Sequence, residues 1–492
     1  MINAGRVRIG IFFVAIWLAL AGNVSAEAVG AIQSNSEQIV SELNRRWNTD
    51  QVPTGGLSIV VGDTVYTSRL GKAEAGSFEL ASTAKAFTGL LIALLEQEGV
   101  LSRQDAITQW IPELAEHPEM GYSAVRVQNL LFHTSGIARN TLDLLQPNSN
   151  PDALSQLPAL LKSVPLAYPV GTQEEYATLN YSLLGLAAER AAGKPFATLL
   201  QEKIFLPLGM KNTTVEGNVP AESTPVVRIP GYKISFTTAQ PYDAPRYLQN
   251  TPAGYVLSTP QDMAIWLQFL LRRLPLNHSD QPLSALYAAL EQAKRPYAGD
   301  GNEGYAYGWD VETDKTTGWS HPGQNPNAAA YIAFDPGAAV GVVLLGNSNS
   351  PQVIDLGQSI FEHLRGTSPQ FLPEKFPIDV NDWVSVVAAA IFWLGGVLFL
   401  LATLYKSGKK QVGKKNKGGK NSGKYFPIVF IVLNTVLVSV LAIMPPLLSG
   451  LGWSNLLVWG PLSLPVAAIG LIFFVNMISL FFFLTVKSSS RY

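Results

Sequence analysis

The sequence predicts a mixed α/β (α+β) domain outside the cytoplasm, followed by three transmembrane helices. Three observations lead there. Strand-like runs bracket helical stretches, with no regular βαβ rhythm and no internal repeat. A series of short strands separated by turns closes the soluble part. Beyond a proline-rich linker at 366–382, apolar stretches at about 383–405, 426–448 and 466–486 are each long enough to cross a bilayer. The 492-residue chain exceeds one ordinary domain, and its 47% apolar content is ample for a core. Cysteine is absent, which excludes disulfides, a thiolate nucleophile and cysteine-ligated zinc. The formal charge of −1 hides an asymmetry, because residues 27–380 carry 23 Lys+Arg against 35 Asp+Glu. A body this acidic argues against nucleic acid as a partner.

In chain order, residues 1–26 read as a secretory signal. Arg6 and Arg8 form a basic start, Ile9 to Ala21 an apolar run, and Val24-Ser25-Ala26 a small-residue cleavage site. Ser36 to Trp47 is an amphipathic helix by pattern. Gly56 to Gly62 and Thr64 to Leu70 are two strands around a Gly62-Asp63 turn. A helix follows from Ser82, with Gly99 as its stop. Pro112 should end any helix in 101–110 by Trp110. Val125 to Phe132 reads as a short helix closed by the turn His133-Thr134-Ser135-Gly136, and Ser182 to Ala192 as another helix. Glu216 to Pro252 reads as a long loop, and Ser258 begins a helix running through Leu271. Strands are expected at Tyr307–Glu312, Gly318–Gly323, Ala328–Phe334 and Ala339–Leu345, with Asp335-Pro336-Gly337 as the last turn. A helix at Ser359–Leu364 closes the domain.

The lysine loop at 406–424 lies between the first and second apolar stretches. Positive loops stay in the cytoplasm, so this loop and the C-terminus face inward and the body outward, in agreement with the signal. The expected partner of this tail is the lipid bilayer, with the lysines serving to set orientation. Pro445, Pro446, Pro461 and Pro465 flank the second and third spans and suit an outer turn. No acidic or basic residue lies within a span, which argues against a transport path.

The chemistry centres on Ser82-Thr83-Ala84-Lys85. On a helix, positions i and i+3 share a face, so hydroxyl and amine can touch. A serine is a weak nucleophile until a neighbouring base takes its proton, and burial would lower a lysine's pKa enough for that task. Tyr176, just before a helix, is either a phenol aimed into a cleft or a packing aromatic. His133 reads as a hydrogen-bonded structural residue rather than a base. No His-Glu-x-x-His motif and no glycine-rich phosphate loop is present, so no cofactor and no metal is expected.

Taken in order, Ser82-Thr-Ala-Lys85, Leu130-Leu-Phe-His133-Thr-Ser-Gly136, Gly171-Thr before Tyr176, Asn180-Tyr-Ser-Leu-Leu-Gly185, Pro207-Leu-Gly-Met210, Pro252-Ala-Gly254 and His321-Pro-Gly323 resemble the class C β-lactamase and serine D,D-carboxypeptidase superfamily. The resemblance covers roughly Ser36 to Leu364, within a domain taken as 27–365. It implies an antiparallel sheet flanked by helices beside a helical subdomain, roughly Leu101 to Thr213, with the site between them. It implies that Ser82 becomes acylated on an ester or amide, and that Lys85 and Tyr176 share the proton transfers. His321 would orient Tyr176 or the substrate. The oxyanion hole would be the backbone N–H groups of Ser82 and Gln324, and Thr178 and Gly323 would line the substrate. The superfamily's second motif is usually Tyr-x-Asn, and this chain has Thr178 in the third place. With His321 standing where β-lactamases carry lysine, this puts efficient β-lactam hydrolysis in doubt but leaves acyl-serine chemistry intact. A lysine-threonine run at Lys315-Thr316-Thr317-Gly318 has the wrong spacing and precedes the strand. The expected substrate is a small-molecule, peptide or ester component of the envelope, most naturally a D-alanyl group. The alternative is a non-catalytic envelope sensor that keeps the fold.

Overall fold

The computed structural model describes residues 26–217, 227–275, 281–293, 303–312, 318–370, 372–373, 379–412, 426–449 and 452–489. The leader up to Ser25, most of the lysine loop, Lys315–Thr317 and the last residues from Ser490 lie outside the described residues. The first helix, α1, spans Ala26–Arg46, starting ahead of the expected Ser36. Strands β1 (Thr54–Val61) and β2 (Thr64–Gly71) pair antiparallel around Gly62, whose φ of +58° suits the turn. The short β3 (Phe78–Glu79) leads to α2 (Lys85–Gln97).

A seven-stranded antiparallel sheet forms the body, in the order β2-β1-β12-β11-β10-β9-β8. Its last five strands are β8 (Glu303–Ala306), β9 (Trp309–Glu312), β10 (Trp319–Asn325), β11 (Ala328–Asp335) and β12 (Val340–Gly346). The central strands are buried on both faces, which is why Val340 to Leu345 is apolar without alternation. Val340, Val342 and Leu344 pack with α1 and the closing helix at Gln352–Leu364, while Val343 and Leu345 face the opposite core. That second core joins α2, the helix at Pro260–Leu270 and the helical subdomain. The helix in 101–110 is a single turn, Ile107–Trp110, and ends where Pro112 predicts. Two more helices complete the walls of the site, α3 (Val127–Leu131) and α4 (Leu179–Ala192), the latter beginning three residues earlier than its pattern suggested. Two small sheets stand beside the main one: β3 with β7 (Val256–Ser258) and β4 (Thr214–Val215), and the hairpin β5 (Tyr232–Ser235) with β6 (Thr238–Pro241).

The strand expected at Tyr307–Glu312 is shortened to β9, and β8 ahead of it was not expected. Tyr307 and Gly308 form a turn between β8 and β9, with φ of +51° and +93°. A Cβ on Gly308 would sit 2.5 Å from Ala86 N, and one on Gly89 2.1 Å from Tyr307 O, so this turn presses on the first two turns of α2. Only glycine at both places permits that approach.

After the linker come α5 (Val380–Val412), α6 (Phe426–Ser449), the seven-residue α7 (Trp453–Trp459) and α8 (Ser463–Ser489). Three spans were expected. Among the described residues two helices are long and apolar enough to cross a membrane, Val380–Lys406 and Ser463–Leu484, and Phe430–Met444 of α6 is a shorter apolar stretch. Pro445 and Pro446 fall inside α6 rather than in the turn after it. Helices α5 and α8 meet closely at small residues, since a Cβ on Gly396 would touch Phe473 and one on Gly470 would touch Trp393.

Candidate active site

Ser82 lies in a 3₁₀ turn, Ala81–Ala84, just ahead of α2, and not in α2 itself. The Leu80 N–H donates to Val256 O at 2.9 Å, pinning the approach to strand β7. Ala81 then takes φ of +49°, an uncommon conformation for a residue with a side chain, and Ser82 follows directly. In a 3₁₀ turn residues i and i+3 eclipse. That places Lys85 Nζ 3.0 Å from Ser82 Oγ.

The amine is fully buried, and its other contact is Ala253 O at 2.8 Å. Thr88 Oγ1 donates to Pro252 O at 2.6 Å, so the turn carrying that carbonyl is fastened to the same helix. Burial pushes Lys85 well below the ordinary lysine range. No carboxylate is hydrogen-bonded to Nζ among the described residues, so nothing offsets that desolvation.

Tyr176 comes from the segment preceding α4. Its phenol lies beside Ser82, and Lys85 Nζ is 5.2 Å from its ring centre. Burial raises this phenol above its ordinary value. Its ring rests on His133, with centroids 4.5 Å apart. His133 has φ of +54°, and its Nδ1 accepts from Asn180 Nδ2 at 2.8 Å and from Ala177 N at 3.3 Å. Asn180 Oδ1 in turn accepts from Ser135 Oγ at 2.7 Å. His133 is therefore a buried neutral prop beneath Tyr176, as its place in the turn suggested; burial, with Lys85 and His321 nearby, holds it well below the usual histidine range.

His321 enters from β10. Its Nδ1 faces Pro322 O at 2.6 Å, so in the neutral ring Nε2 accepts the hydroxyl of Tyr305, 2.9 Å away. Burial, with Lys85 nearby, pushes His321 down to about 3. Its ring centre is 6.0 Å from that of Tyr176, and both its nitrogens are engaged elsewhere. Tyr305 is the residue that sequence reading missed. Its signal was faint: an aromatic two residues before Tyr307-Gly308, on a strand not expected to exist.

Strand β10 pairs with β9 only at Trp319 and Ser320. Its following residues run past Ser82. A Cβ on Gly323 would lie 2.7 Å from Leu80 O and 3.2 Å from Ser82 N, so the glycine lets this strand lie against the serine's N–H. Gln324 is next, and its side chain turns away to donate to Asn349 O at 2.8 Å. Asn325 Nδ2 bonds Glu79 Oε1 and, at 3.1 Å, Gly254 O, which ties β10 to the segments before Ser82 and after Ala253. Arg228 pairs with the buried Glu79 at 2.5 Å. Thr178 caps α4 through its carbonyl, accepting from Tyr181 N at 3.1 Å, and its side chain is half-buried. Ser82 and Lys85 are thus in hydrogen-bonding contact with Tyr176 beside them, His321 stands behind Tyr305, and Gly323–Gln324 border the serine.

A sheet of this order beside a helical subdomain, with a Ser-x-x-Lys turn between them, defines the β-lactamase/transpeptidase fold, whose families are generally serine hydrolases. This chain belongs to the Beta-lactamase family, whose profile matches residues 39–365. It is similar to Protein flp of Staphylococcus aureus (strain MW2), at 24% identity over 402 residues, covering 80% of this chain and 77% of that protein. It is also similar to N-acetylmuramyl-L-alanine amidase of Bacillus subtilis (strain 168), at 25% identity over 314 residues, 56% of this chain and 69% of the other. Among solved structures, a class C beta-lactamase in complex with cefoxitin shares the fold at 21% identity and a TM-score of 0.53, covering 65% of this chain and 95% of that one. A penicillin-binding protein homologue from Pyrococcus abyssi does so at 21% identity and 0.54, covering 73% and 81%.

Proposed function

We propose that the protein is a membrane-anchored serine hydrolase that acts outside the cytoplasm on an ester or amide of the cell envelope, with a D-alanyl group as the acyl part. One observation carries the reading: Ser82 Oγ is within reach of both a buried amine, at 3.0 Å, and a phenol held by an aromatic prop. Burial lowers Lys85 and raises Tyr176, which favours the neutral form of each, and in that form the lone pair that takes the Ser82 proton is that of Lys85 Nζ. The alkoxide attacks the carbonyl carbon, and its oxygen bonds that carbon. The carbonyl oxygen becomes an oxyanion facing the N–H groups of Ser82 and Gln324. The proton passes through Tyr176 to the leaving group as the acyl-serine forms, and water then reverses these steps. The part of β10 beyond Ser320, without a β9 partner, offers backbone groups to an extended substrate. The Bacillus subtilis relative bears the name of an amidase, which supports an acyl bond of the wall as target. Two apolar helices after the domain, the basic segment between the first and second, and the N-terminal leader pattern support an anchored, outward-facing body.

The test is labelling of the full-length protein with a fluorescent penicillin and with a fluorophosphonate. The wild type should be labelled and Ser82→Ala should not. Wild-type protein that takes neither label is a binding protein rather than an enzyme, the reading that Thr178 and the neutral His321 favour. A panel of D-Ala-D-Ala peptides, D-alanyl esters and aryl esters then separates the substrate classes.

A further inference from the structure

Helix α7 is short, and a short helix leaves most of its end groups without intrahelical partners. Here the two ends are satisfied by two different parts of the soluble domain. At its start, Gly452 N donates to Asp143 Oδ2 at 3.1 Å, and Asn455 Nδ2 donates to Asp143 Oδ1. Asp143 belongs to the helical subdomain, in the 3₁₀ segment Arg139–Leu144, whose Arg139 N–H donates to Glu175 beside Tyr176 at 2.7 Å. At its end, Leu457 O accepts from Lys233 Nζ at 2.9 Å and Trp459 O from Asn349 Nδ2 at 3.4 Å. Both of those residues belong to the sheet side. Asn349 Oδ1 accepts from Ile234 N of β5 at 2.8 Å, and its carbonyl accepts from Gln324, next to Gly323.

The neighbouring membrane helices hold the same β5–β6 hairpin. Its tip, Phe236 and Thr237, has φ of +54° and +68°, and both N–H groups donate to the carboxylate of Asp382 at the start of α5, at 3.0 and 2.5 Å. Ser463 Oγ donates to that carboxylate at 2.6 Å, and Leu462 N donates to Ser235 Oγ at 2.9 Å. Lys233 is 1% exposed, and its head lies 3.9 Å from the Tyr242 ring centre. Lifting α7 away would take its carbonyl partner from the buried Lys233 amine, a costly loss inside a protein, and two donors from the half-buried Asp143. Val458, between those two carbonyl-bearing residues, packs on the soluble core.

We infer that α7 is a strap across the active-site cleft: it bonds the helical wall through Asp143 and the sheet wall through Lys233 and Asn349, so the membrane helices set the spacing between Tyr176 and the Gly323–Gln324 strand. The strap acts on the site assigned above and rests on that reading. The membrane segment is then a working part of the enzyme and not a passive tether.

The test uses the full chain in lipid nanodiscs. Asn455→Asp faces Asp143 with a second carboxylate. Amide hydrogen exchange should rise together in 139–144 and 319–325, and the rate of acylation by the fluorescent penicillin or the fluorophosphonate should fall about tenfold. The pair Asp143→Asn with Asn455→Asp restores opposite partners and should restore both readouts, which a general loss of folding would not allow. Lys233→Met loosens the other end and should give the same paired rise in exchange. Exchange that stays unchanged, or rises only on the wall carrying the substitution, overturns the strap. If the wild type takes neither label, the acyl-serine reading falls, and the exchange comparison still decides whether α7 holds both walls.

Discussion

Lys85→Met separates the two roles that burial gives this residue. The methionine keeps most of the side-chain volume and removes the amine. It deletes the contacts to Ser82 Oγ at 3.0 Å and to Ala253 O at 2.8 Å. Loss of a positioned general base lowers rates by about 10²–10⁴, so acylation by a fluorophosphonate should fall by that factor. Stability should respond in its own way. The folded state holds Lys85 well below 10.5 while the unfolded chain titrates at about that value. In the pH range between the two, the unfolded chain binds one more proton, so stability rises with pH by about 1.4 kcal/mol per unit until the unfolded value is reached. Urea unfolding of wild type and Lys85→Met at pH 8, 9 and 10 reads this slope, and the difference between the two proteins isolates it. The wild type should gain stability relative to Lys85→Met as the pH rises toward 10.5. A variant whose acylation stays within tenfold of wild type, or whose stability differs from wild type by the same amount at all three pH values, would refute the assignment of a neutral, buried base.

Gly323→Ala places a methyl 2.7 Å from Leu80 O, a backbone atom that cannot step aside, so β10 must shift from Ser82 N. Acylation should fall about 10²–10³-fold, the usual effect of losing an oxyanion donor, and an unchanged labelling rate counts against Gly323–Gln324 as that wall. Tyr305→Phe removes the donor to His321 Nε2 and should cost about 1–3 kcal/mol in urea unfolding; a loss below about 0.5 kcal/mol would mean that this bond does not hold the histidine. Acid should destabilise the domain. His133 and His321 stay neutral when folded, His321 down to about 3, whereas the unfolded chain protonates them near 6.5. Below that value the unfolded chain binds the extra protons, so stability drops by about 1.4 kcal/mol per pH unit for each histidine. Unfolding at pH 6.5, 5.5 and 4.5 checks this, with a halved slope expected in His321→Gln.

What could be read along the chain was whatever depends on near neighbours. The Ser82–Lys85 spacing brings hydroxyl and amine together in either an α or a 3₁₀ turn. The turns at Gly62 and Asp335-Pro336-Gly337 follow from local backbone preference, Asp335 Oδ1 accepting from Gly337 N at 2.8 Å. Apolar length marks α5 and α8. His133 as a prop was legible because its turn leaves few other roles. Tertiary structure decided what depends on segments far apart. Tyr307 adopts positive φ, against its own preference, because the turn must fit over α2, and this removes the first two residues of the strand expected at Tyr307–Glu312. His321 meets Tyr305 only because β8, β9 and β10 lie side by side. Nothing in Trp453–Trp459 announces a strap, because its partners at 143, 233 and 349 are each at least a hundred residues away along the chain. Local pattern records how each segment prefers to bend. Which buried donors and acceptors then satisfy one another is settled only when the segments pack.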